Sequence, residues 1–294
     1  MTTLTQPIEK PSTPIHAVPA LKRILVHIDR SDASHARVLT AVNLARLFHG
    51  KLAGVYAIRP IIPLAASGEL PAAFLVEQER LAEEDADIAK RRYLDHVTRS
   101  GLQSDWYSVR GDAVAEVRRI ARYMDLSVVG QIDPGRPEPE IVIRPEEIAL
   151  GSGRPVLVIP YIGTPVEVGS RIVVAWDGGR ESARAVADAL PLLRQARSVW
   201  VVSIDVKDRA LREGSSAAKD LCLFLGDHGI TAEPQELQAG TLSGSDALLS
   251  RLSDLGADLL VMGCYGHSRL REFVLGGMTR GILQHMTVPV LLSH

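Results

Sequence analysis

The sequence predicts an α/β protein with two tandem open parallel sheets of five strands each and helices on both faces of each sheet. Short apolar runs alternate with longer helical patterns, which is typical of parallel sheets with right-handed crossovers. This alternation occurs twice, in two domain-sized units, and the 294 residues suffice for two ordinary domains. Apolar residues make up 46% of the chain and aromatic residues only 4%. The cores must therefore use small aliphatic side chains, which suits tightly packed α/β layers.

The first half begins with an apolar strand that ends in Asp29. Each further predicted strand is a short apolar run, and the predicted helices carry apolar residues at helical spacing. Gly111 ends the third strand. In chain order the elements are a strand at 22–29, a helix at 34–48, a strand at 51–58, a long charged helix at 74–100, and strands at 125–130 and 154–159.

The second half repeats this order, beginning with a strand that ends in Asp177. Gly240 ends its third strand, as Gly111 does in the first half. The remaining elements are a helix at 182–195, a strand at 199–204, a helix at 217–228, a strand at 258–263, a helix at 278–286 and a strand at 288–292.

These repeats predict a first domain at 21–161, a linker at 162–169 and a second domain at 170–294. The first twenty residues contain four prolines and no apolar core. We therefore expect a flexible tail at 1–20 and neither a signal peptide nor an anchor. Because the terminal strands at 155–159 and 289–292 are apolar, bare edges there would invite aggregation. We expect them to pair, within the chain as a pseudo-dimer or between chains as a homodimer.

Composition excludes several classes of function. The net charge is -2 and the basic residues are scattered along the sequence, so we expect no nucleic-acid partner. No run of 18 apolar residues occurs, so we expect no membrane partner. Cys222 and Cys264 form no disulfide framework, which fits the cytoplasm, and the histidines show no metal-ligand spacing.

A glycine-rich loop in the second half is the strongest functional signal. The apolar run 257–262 is followed by Gly263, two residues, Gly266, nine residues, Gly276 and Gly277, and then by the helical pattern at 278–286. Glycines allow close backbone approach to a ligand. A helix N-terminus adds unpaired N–H groups and the positive end of the helix dipole. Together these features predict an anion site, usually for phosphate.

These residues resemble the universal stress protein family in its tandem two-domain form. The family's nucleotide loop reads Gly, two residues, Gly, nine residues, Gly, then Ser or Thr. Gly263, Gly266 and Gly276 match this pattern in register, whereas Gly277 stands at the Ser or Thr position. The resemblance covers residues 21–294 and implies a Rossmann-like fold of the adenine-nucleotide alpha-hydrolase type.

The resemblance implies that the second half binds an adenine nucleotide, ATP or else AMP or ADP. It implies that Asp177 and the backbone near Ile204 hold adenine and ribose. The residues that it implies around the ribose and phosphates are Met262, Gly263, Gly266, Gly276, Gly277 and Met278.

Several of these residues have a simpler alternative role. Asp177 could cap the helix that begins near Arg180, and the whole glycine loop could be a turn without a ligand. Thr279 could replace the hydroxyl missing at Gly277 or cap the last helix. Cys264 is a loop filler or a redox-sensitive thiol. His267 and Arg269 could contact phosphate or be solvated.

The first half departs from the family pattern. Asp133 replaces the second loop glycine, and prolines and acidic residues follow it. Proline removes N–H donors and carboxylates repel anions, so we expect no phosphate site there. Asp29 remains as a cap or strand-end residue. In the family, such first domains serve as structural or dimer-like partners.

No motif predicts a catalytic residue. The sequence lacks a Gly-x-Ser-x-Gly elbow and a Gly-x-x-x-x-Gly-Lys phosphate loop. We therefore expect a cytoplasmic protein in which the nucleotide is a regulatory ligand rather than a substrate. A slow ATP hydrolase and a nucleotide-free interaction scaffold are the two alternatives.

Overall fold

A computed structural model describes residues 21–58, 72–135, 142–163, 167–204, 217–265 and 277–294. The tail expected at 1–20 lies outside these residues. In the first half the structure contains five strands and four helices within the described ranges. They are β1 (Arg23–Ile28), α1 (Ala33–Leu47), β2 (Lys51–Ala57), α2 (Ala72–Arg99), β3 (Ser104–Val109), α3 (Ala113–Ala121), β4 (Leu126–Gly130), α4 (Pro145–Ser152) and β5 (Val156–Ile159).

The second half repeats this order in its own described ranges. Its elements are β6 (Arg171–Ala175), α5 (Arg180–Leu193), β7 (Ser198–Ile204), α6 (Ala217–Asp227), β8 (Glu233–Leu237), α7 (Gly244–Leu255), β9 (Leu259–Gly263), α8 (Gly277–His285) and β10 (Val290–Ser293).

The predicted elements are present, with small differences at their ends. The largest difference concerns the third strands, which end at Val109 and Leu237 rather than at Gly111 and Gly240. Both glycines have positive φ, 90° and 61°, which belongs to a turn and not to a strand. The glycines therefore mark the turns that follow the strands.

All ten strands form one sheet with the order β3-β2-β1-β4-β5-β10-β9-β6-β7-β8. Every neighbouring pair is parallel except β5 and β10, which are antiparallel with Leu157 opposite Leu291. The predicted fold class is confirmed, and the two five-stranded sheets join into one. The expected pairing of the terminal strands occurs within the chain.

Helices cover both faces of this sheet. Buried residues of α1, α2, α5 and α6 contribute to a core on one face, and those of α3, α4, α7 and α8 contribute to a core on the other. Side chains of a strand alternate between the two, as Ile24 and Leu25 do in β1. The inner strands are thus buried on both faces, which explains their continuous apolar sequences, whereas the edge strands β3 and β8 are more exposed and more polar.

One buried side chain joins the two halves directly. Gln131 follows β4 and is 7% exposed. Its Nε2 donates hydrogen bonds to the carbonyl oxygens of Leu283 at 2.9 Å and Gln284 at 3.3 Å, near the C-terminus of α8. Its Oε1 accepts a hydrogen bond from the N–H of Tyr161. The first half therefore caps the last helix of the second half, whose final carbonyls have no partner within the helix.

A second polar cluster lies at the C-terminal end of β1. The side chain of Arg37, in α1, is 3% exposed and its Nη2 lies 2.7 Å from Oδ2 of Asp29. Its Nε donates a hydrogen bond to the carbonyl oxygen of His27. The pKa of His27 is lowered from 6.5 to about 4, chiefly by burial; the charge of Asp29 opposes this shift and the charge of Arg37 adds to it. The folded protein therefore holds His27 in its neutral form near neutral pH.

Replacing Gln131 with alanine should lower the free energy of unfolding by about 1–3 kcal/mol, because partly buried backbone groups of both halves lose their partner. Urea denaturation monitored by circular dichroism measures this. Gln195→Ala is the matched control, since Gln195 is exposed at the end of α5, and it should change stability by no more than about 0.5 kcal/mol. Equal effects of the two substitutions would show that Gln131 does not join the halves.

The stability of the protein should fall as the pH is lowered from about 6.5 to about 4. In this range the unfolded chain binds a proton at His27 and the folded chain does not, so protons favour unfolding. The full effect is about 3 kcal/mol. Comparing the urea midpoints of the wild type and His27→Gln at several pH values measures it. The variant should show a shallower pH dependence, and parallel curves would contradict the assignment.

Candidate functional site

The candidate site lies where the strand order of the second half reverses. β6 pairs with β7 on one side and with β9 on the other, with Val174 opposite Val261. In open parallel sheets, ligands bind outside the carboxyl ends of the strands at such a point. Asp177 lies two residues beyond the end of β6, and Gly263 is the last residue of β9. The two residues that the sequence singles out therefore flank this crevice.

Asp177 holds the start of α5. Its Oδ1 accepts hydrogen bonds from the N–H of Gly179 at 2.8 Å and from the hydroxyl of Ser182 at 2.7 Å. The alternative predicted for Asp177 is a helix cap, but the N-cap is Gly179 and it has no side-chain cap hydrogen bond, so Asp177 braces the first turn of α5 instead. Its side chain is also exposed at the crevice. The contacts fix the position of the carboxylate, which is what a ligand-binding group requires.

Gly263 allows α5 to approach the end of β9 very closely. A Cβ atom at Gly263 would lie 2.7 Å from the backbone of Glu181 and Ser182. No side chain fits at that distance, so glycine is required for packing as well as for access by a ligand. The first turn of α5 and the end of β9 consequently form one continuous wall of the crevice.

The loop after β9 begins with a bend that α8 stabilises. Tyr265 has φ of 61° and its N–H lies 3.5 Å from Oγ1 of Thr279, a buried residue of α8. Burial raises the pKa of the Cys264 thiol well above its usual range, with a further contribution from Glu146. Cys264 therefore behaves as a buried filler of the loop rather than as a reactive thiolate. Four residues of interest in this loop, Gly266, His267, Arg269 and Gly276, lie outside the described residues.

The other residues implied for the site have different surroundings. Gly277 begins α8, and a Cβ atom built on it would meet no atom of the described residues within 4 Å. Ile204 is half-buried at the end of β7. The side chain of Met262 is buried in the core, and Met278 packs towards Gly244 at the start of α7. Met262 can therefore face a ligand only through its backbone, whereas the side chain of Met278 is half-buried.

The equivalent crevice of the first half differs in one buried side chain. Arg37 lies eight residues after Asp29, and the corresponding residue after Asp177 is Ala185, which is 1% exposed. A Cβ atom at Gly130 would collide with the guanidinium of Arg37. The guanidinium thus fills the space between the ends of β1 and β4 and neutralises Asp29 there.

Sequence reasoning did not identify Arg37, Ser182 or Gln131 as important residues. Ser182 has a detectable signal, because Ser34 occupies the same place after Asp29 as Ser182 does after Asp177. Arg37 and Gln131 carry no such signal, since an arginine in a helix or a glutamine in a loop is usually solvated.

Among the described residues there is neither a membrane-spanning helix nor a group of side chains that could hold a metal ion. No helix in the described ranges is both long enough and apolar enough to cross a membrane. Within the same ranges, no three His, Cys, Asp or Glu side chains are grouped so that they could hold a metal ion.

Comparisons with known proteins agree with this architecture. The family model described as Universal stress protein family matches residues 20–131 and 170–294. A universal stress protein from Archaeoglobus fulgidus DSM 4304 superposes with a TM-score of 0.70 at 16% identity, over 92% of this chain and 97% of that chain. A functionally unknown protein from Pseudomonas aeruginosa PAO1 gives 0.55 at 15% identity, over 94% of each chain.

A further similarity covers a short segment. A universal stress protein of Synechocystis sp. is 41% identical over 46 residues, which is 16% of this chain and 16% of that protein. The two solved structures show similarity in fold alone. The family model matches the sequence itself over most of both halves. The chain belongs to the universal stress protein family, with the family domain present twice.

Proposed function

We propose that the second half binds one adenine nucleotide, ATP or else ADP or AMP, as a regulatory ligand between the ends of β6 and β9. The observation that carries this proposal is the placement of Asp177, Gly263 and the start of α8 around one crevice at the point where the strand order reverses. Asp177 would bind the nucleoside, Gly263 would allow the ligand to approach the backbone closely, and the start of α8 would bind the phosphates.

The chemistry of the crevice fits the two ends of a nucleotide. The N-terminus of α8 at Gly277 offers N–H groups and the positive end of the helix dipole to the phosphates. The carboxylate of Asp177 can accept hydrogen bonds from ribose hydroxyls or the adenine amine, and it would repel phosphates. The nucleoside therefore belongs beside Asp177, near the backbone of Ile204, with the phosphates extending towards Gly277.

Binding at only one half is supported by the buried ion pair in the other. Arg37 and Asp29 neutralise each other in the first-half crevice, so this pair offers neither a free carboxylate to a nucleoside nor a free cation to phosphate. Asp133 adds a negative charge where the loop glycine is missing. The first half then serves as a structural partner through β5 and Gln131.

A ligand role, rather than catalysis, is supported by the groups along the crevice. Oδ1 of Asp177 is engaged by Gly179 and Ser182. Burial acts to raise the pKa of Glu181, but the hydrogen bond from Arg180, a backbone hydrogen bond and the charges of Arg180 and His294 together outweigh it, so the pKa lies below its usual value. A general base needs a pKa near the operating pH. The lowered pKa of Glu181 moves this carboxylate away from that range.

Isothermal titration of the full chain with ATP tests the proposal, and about one site per chain is expected. Gly266→Asp, which copies Asp133 into the second loop, should abolish the binding heat, whereas Asp133→Asn should leave it unchanged. Two equal sites would contradict the assignment to one half. No binding, together with no nucleotide detected by mass spectrometry of the purified protein, would favour the scaffold. Release of ADP and phosphate during incubation would favour the hydrolase.

Gly277→Ser should tighten ATP binding about fivefold, because a hydroxyl at the start of α8 adds a charge-assisted hydrogen bond to phosphate worth about 1 kcal/mol. The described residues leave room for the substitution, since φ of Gly277 lies outside the left-handed region and none of their atoms lies within 4 Å of the added Cβ. Titration of Gly277→Ser and of the control Gly277→Ala measures the effect. Equal affinities of these two variants would show that the phosphates do not reach this helix end.

A further inference from the structure

One edge of the first half collects basic side chains that are scattered in the sequence. At this edge the five parallel strands begin and the helices α1 to α4 end, because each helix leads directly into the next strand. The edge consists of five segments. Four of them run from the last two residues of a helix through the first two residues of the next strand, and the fifth is 21–24 at β1. The Lys and Arg residues of these segments, all exposed, are Lys22, Arg23, Arg46, Lys51, Arg99, Arg122 and Arg154. We name these seven residues the basic edge.

Few acidic groups oppose this charge. The same segments contain only Asp105 and Asp125. The carboxylate of Asp125 accepts hydrogen bonds from the backbone N–H groups of Lys22 and Arg23, at 2.8 and 2.9 Å. Asp105 lies 3.9 Å from Arg23. The edge therefore has a clear positive excess in a chain whose net charge is -2.

The second half shows that this excess is not a general result of helix ends. Basic residues are common near helix C-termini because they interact favourably with the dipole. The segments counted in the same way in the second half nevertheless contain three arginines and four acidic residues. These are Arg171, Arg194, Arg197, Asp227, Glu233, Asp254 and Asp258. The positive edge is thus a property of the first half.

Exposed apolar side chains lie among these bases. Tyr123 is 70% exposed and Leu150 is 44% exposed, at the ends of α3 and α4. Arg154 donates a hydrogen bond to the carbonyl oxygen of Arg122, and Arg122 donates one to the carbonyl oxygen of Gly151, which places the two apolar side chains beside the two arginines. Leu47, at the end of α1, is 49% exposed beside Arg46.

We propose that the basic edge docks on an anionic lipid bilayer. Five strand starts side by side extend about 20 Å, which gives a broad row of charges. Within this row Lys22, Arg23 and Lys51 line one pocket together with His49 and Asp105. Lysine and arginine near an anionic leaflet each add roughly fivefold to binding, and exposed Tyr and Leu side chains can enter the headgroup region.

A bilayer fits this edge better than a nucleic acid does. Reading duplex DNA requires a helix or a two-stranded ribbon that enters the major groove, and this edge consists of the ends of elements. Single strands require several aromatic stacking platforms, and in the described segments of this edge the exposed aromatic ring is that of Tyr123. The sequence expectation of no membrane partner depended on the lack of an 18-residue apolar run, which concerns spanning a bilayer and not docking on its surface. The bases that are scattered in the sequence are gathered by the fold.

Sedimentation of the full chain with vesicles tests the proposal. The protein should bind vesicles of equal parts phosphatidylglycerol and phosphatidylcholine at low salt, and binding should fall as added salt screens the charges. It should not bind vesicles of phosphatidylcholine alone. Reversing Lys22, Lys51 and Arg154 to Glu should weaken binding at least about a hundredfold. Reversing the exposed Arg194, Arg197 and Lys219 makes the same change in net charge and should weaken binding far less.

Tyr123→Ser provides a second variant that keeps the charge. It should weaken binding to the mixed vesicles and leave the salt dependence unchanged, because only apolar insertion is lost. Equal loss in the two triple variants would overturn the proposal, since net charge alone would then explain binding. Failure of the wild type to bind the mixed vesicles, or tighter binding to single-stranded DNA than to them, would also overturn it.

Discussion

The antiparallel pairing of β5 with β10 is the constraint on which the rest of the structure depends. Both strands are fully buried and apolar, so each half alone would present a bare edge of unpaired backbone groups. Joining the two edges completes one ten-stranded sheet. Because the junction is antiparallel, the strand ends of one half point opposite to those of the other. The crevice at β6 and β9 therefore opens on the same side of the sheet as the strand starts of the first half.

The duplication places equivalent residues under different constraints. Gln131 and Cys264 each follow the glycine that ends the fourth strand of their half, and each donates its backbone N–H to the last strand. Gln131 extends into the other half and caps α8, whereas Cys264 fills a buried position in the nucleotide-type loop. In the first half, the residue after β4 therefore serves to join the two halves. The second half retains the glycine-rich sequence before α8, and the described residues leave the start of this helix uncovered at Gly277.

Close packing explains why the crevices of the two halves are not interchangeable. In the second half, the backbone of α5 lies against Gly263, and Ala185 leaves the end of β6 without a buried charge. In the first half, Arg37 separates α1 from Gly130 and occupies the place beside Asp29. Removing either Arg37 or Asp29 alone would leave a partly buried charge without its partner, so the pair persists as a unit. The side chain of Arg37 in α1 thereby neutralises the carboxylate that follows β1.

The sequence by itself determined the repeated strand and helix order, the parallel pairing within each half and the glycine spacing, because periodicity and turn residues are local properties. It also indicated Asp177 and Gly263, since both lie at strand ends whose neighbours follow from the topology. Helices α3 and α7 were implied only by the alternation. The tertiary structure alone decided that β5 and β10 pair within the chain, that Gln131 caps α8 and that Arg37 closes the first crevice. It alone gathered the basic edge. The physical reason is that these contacts join residues far apart in sequence, and no local pattern records which distant group a buried side chain will meet.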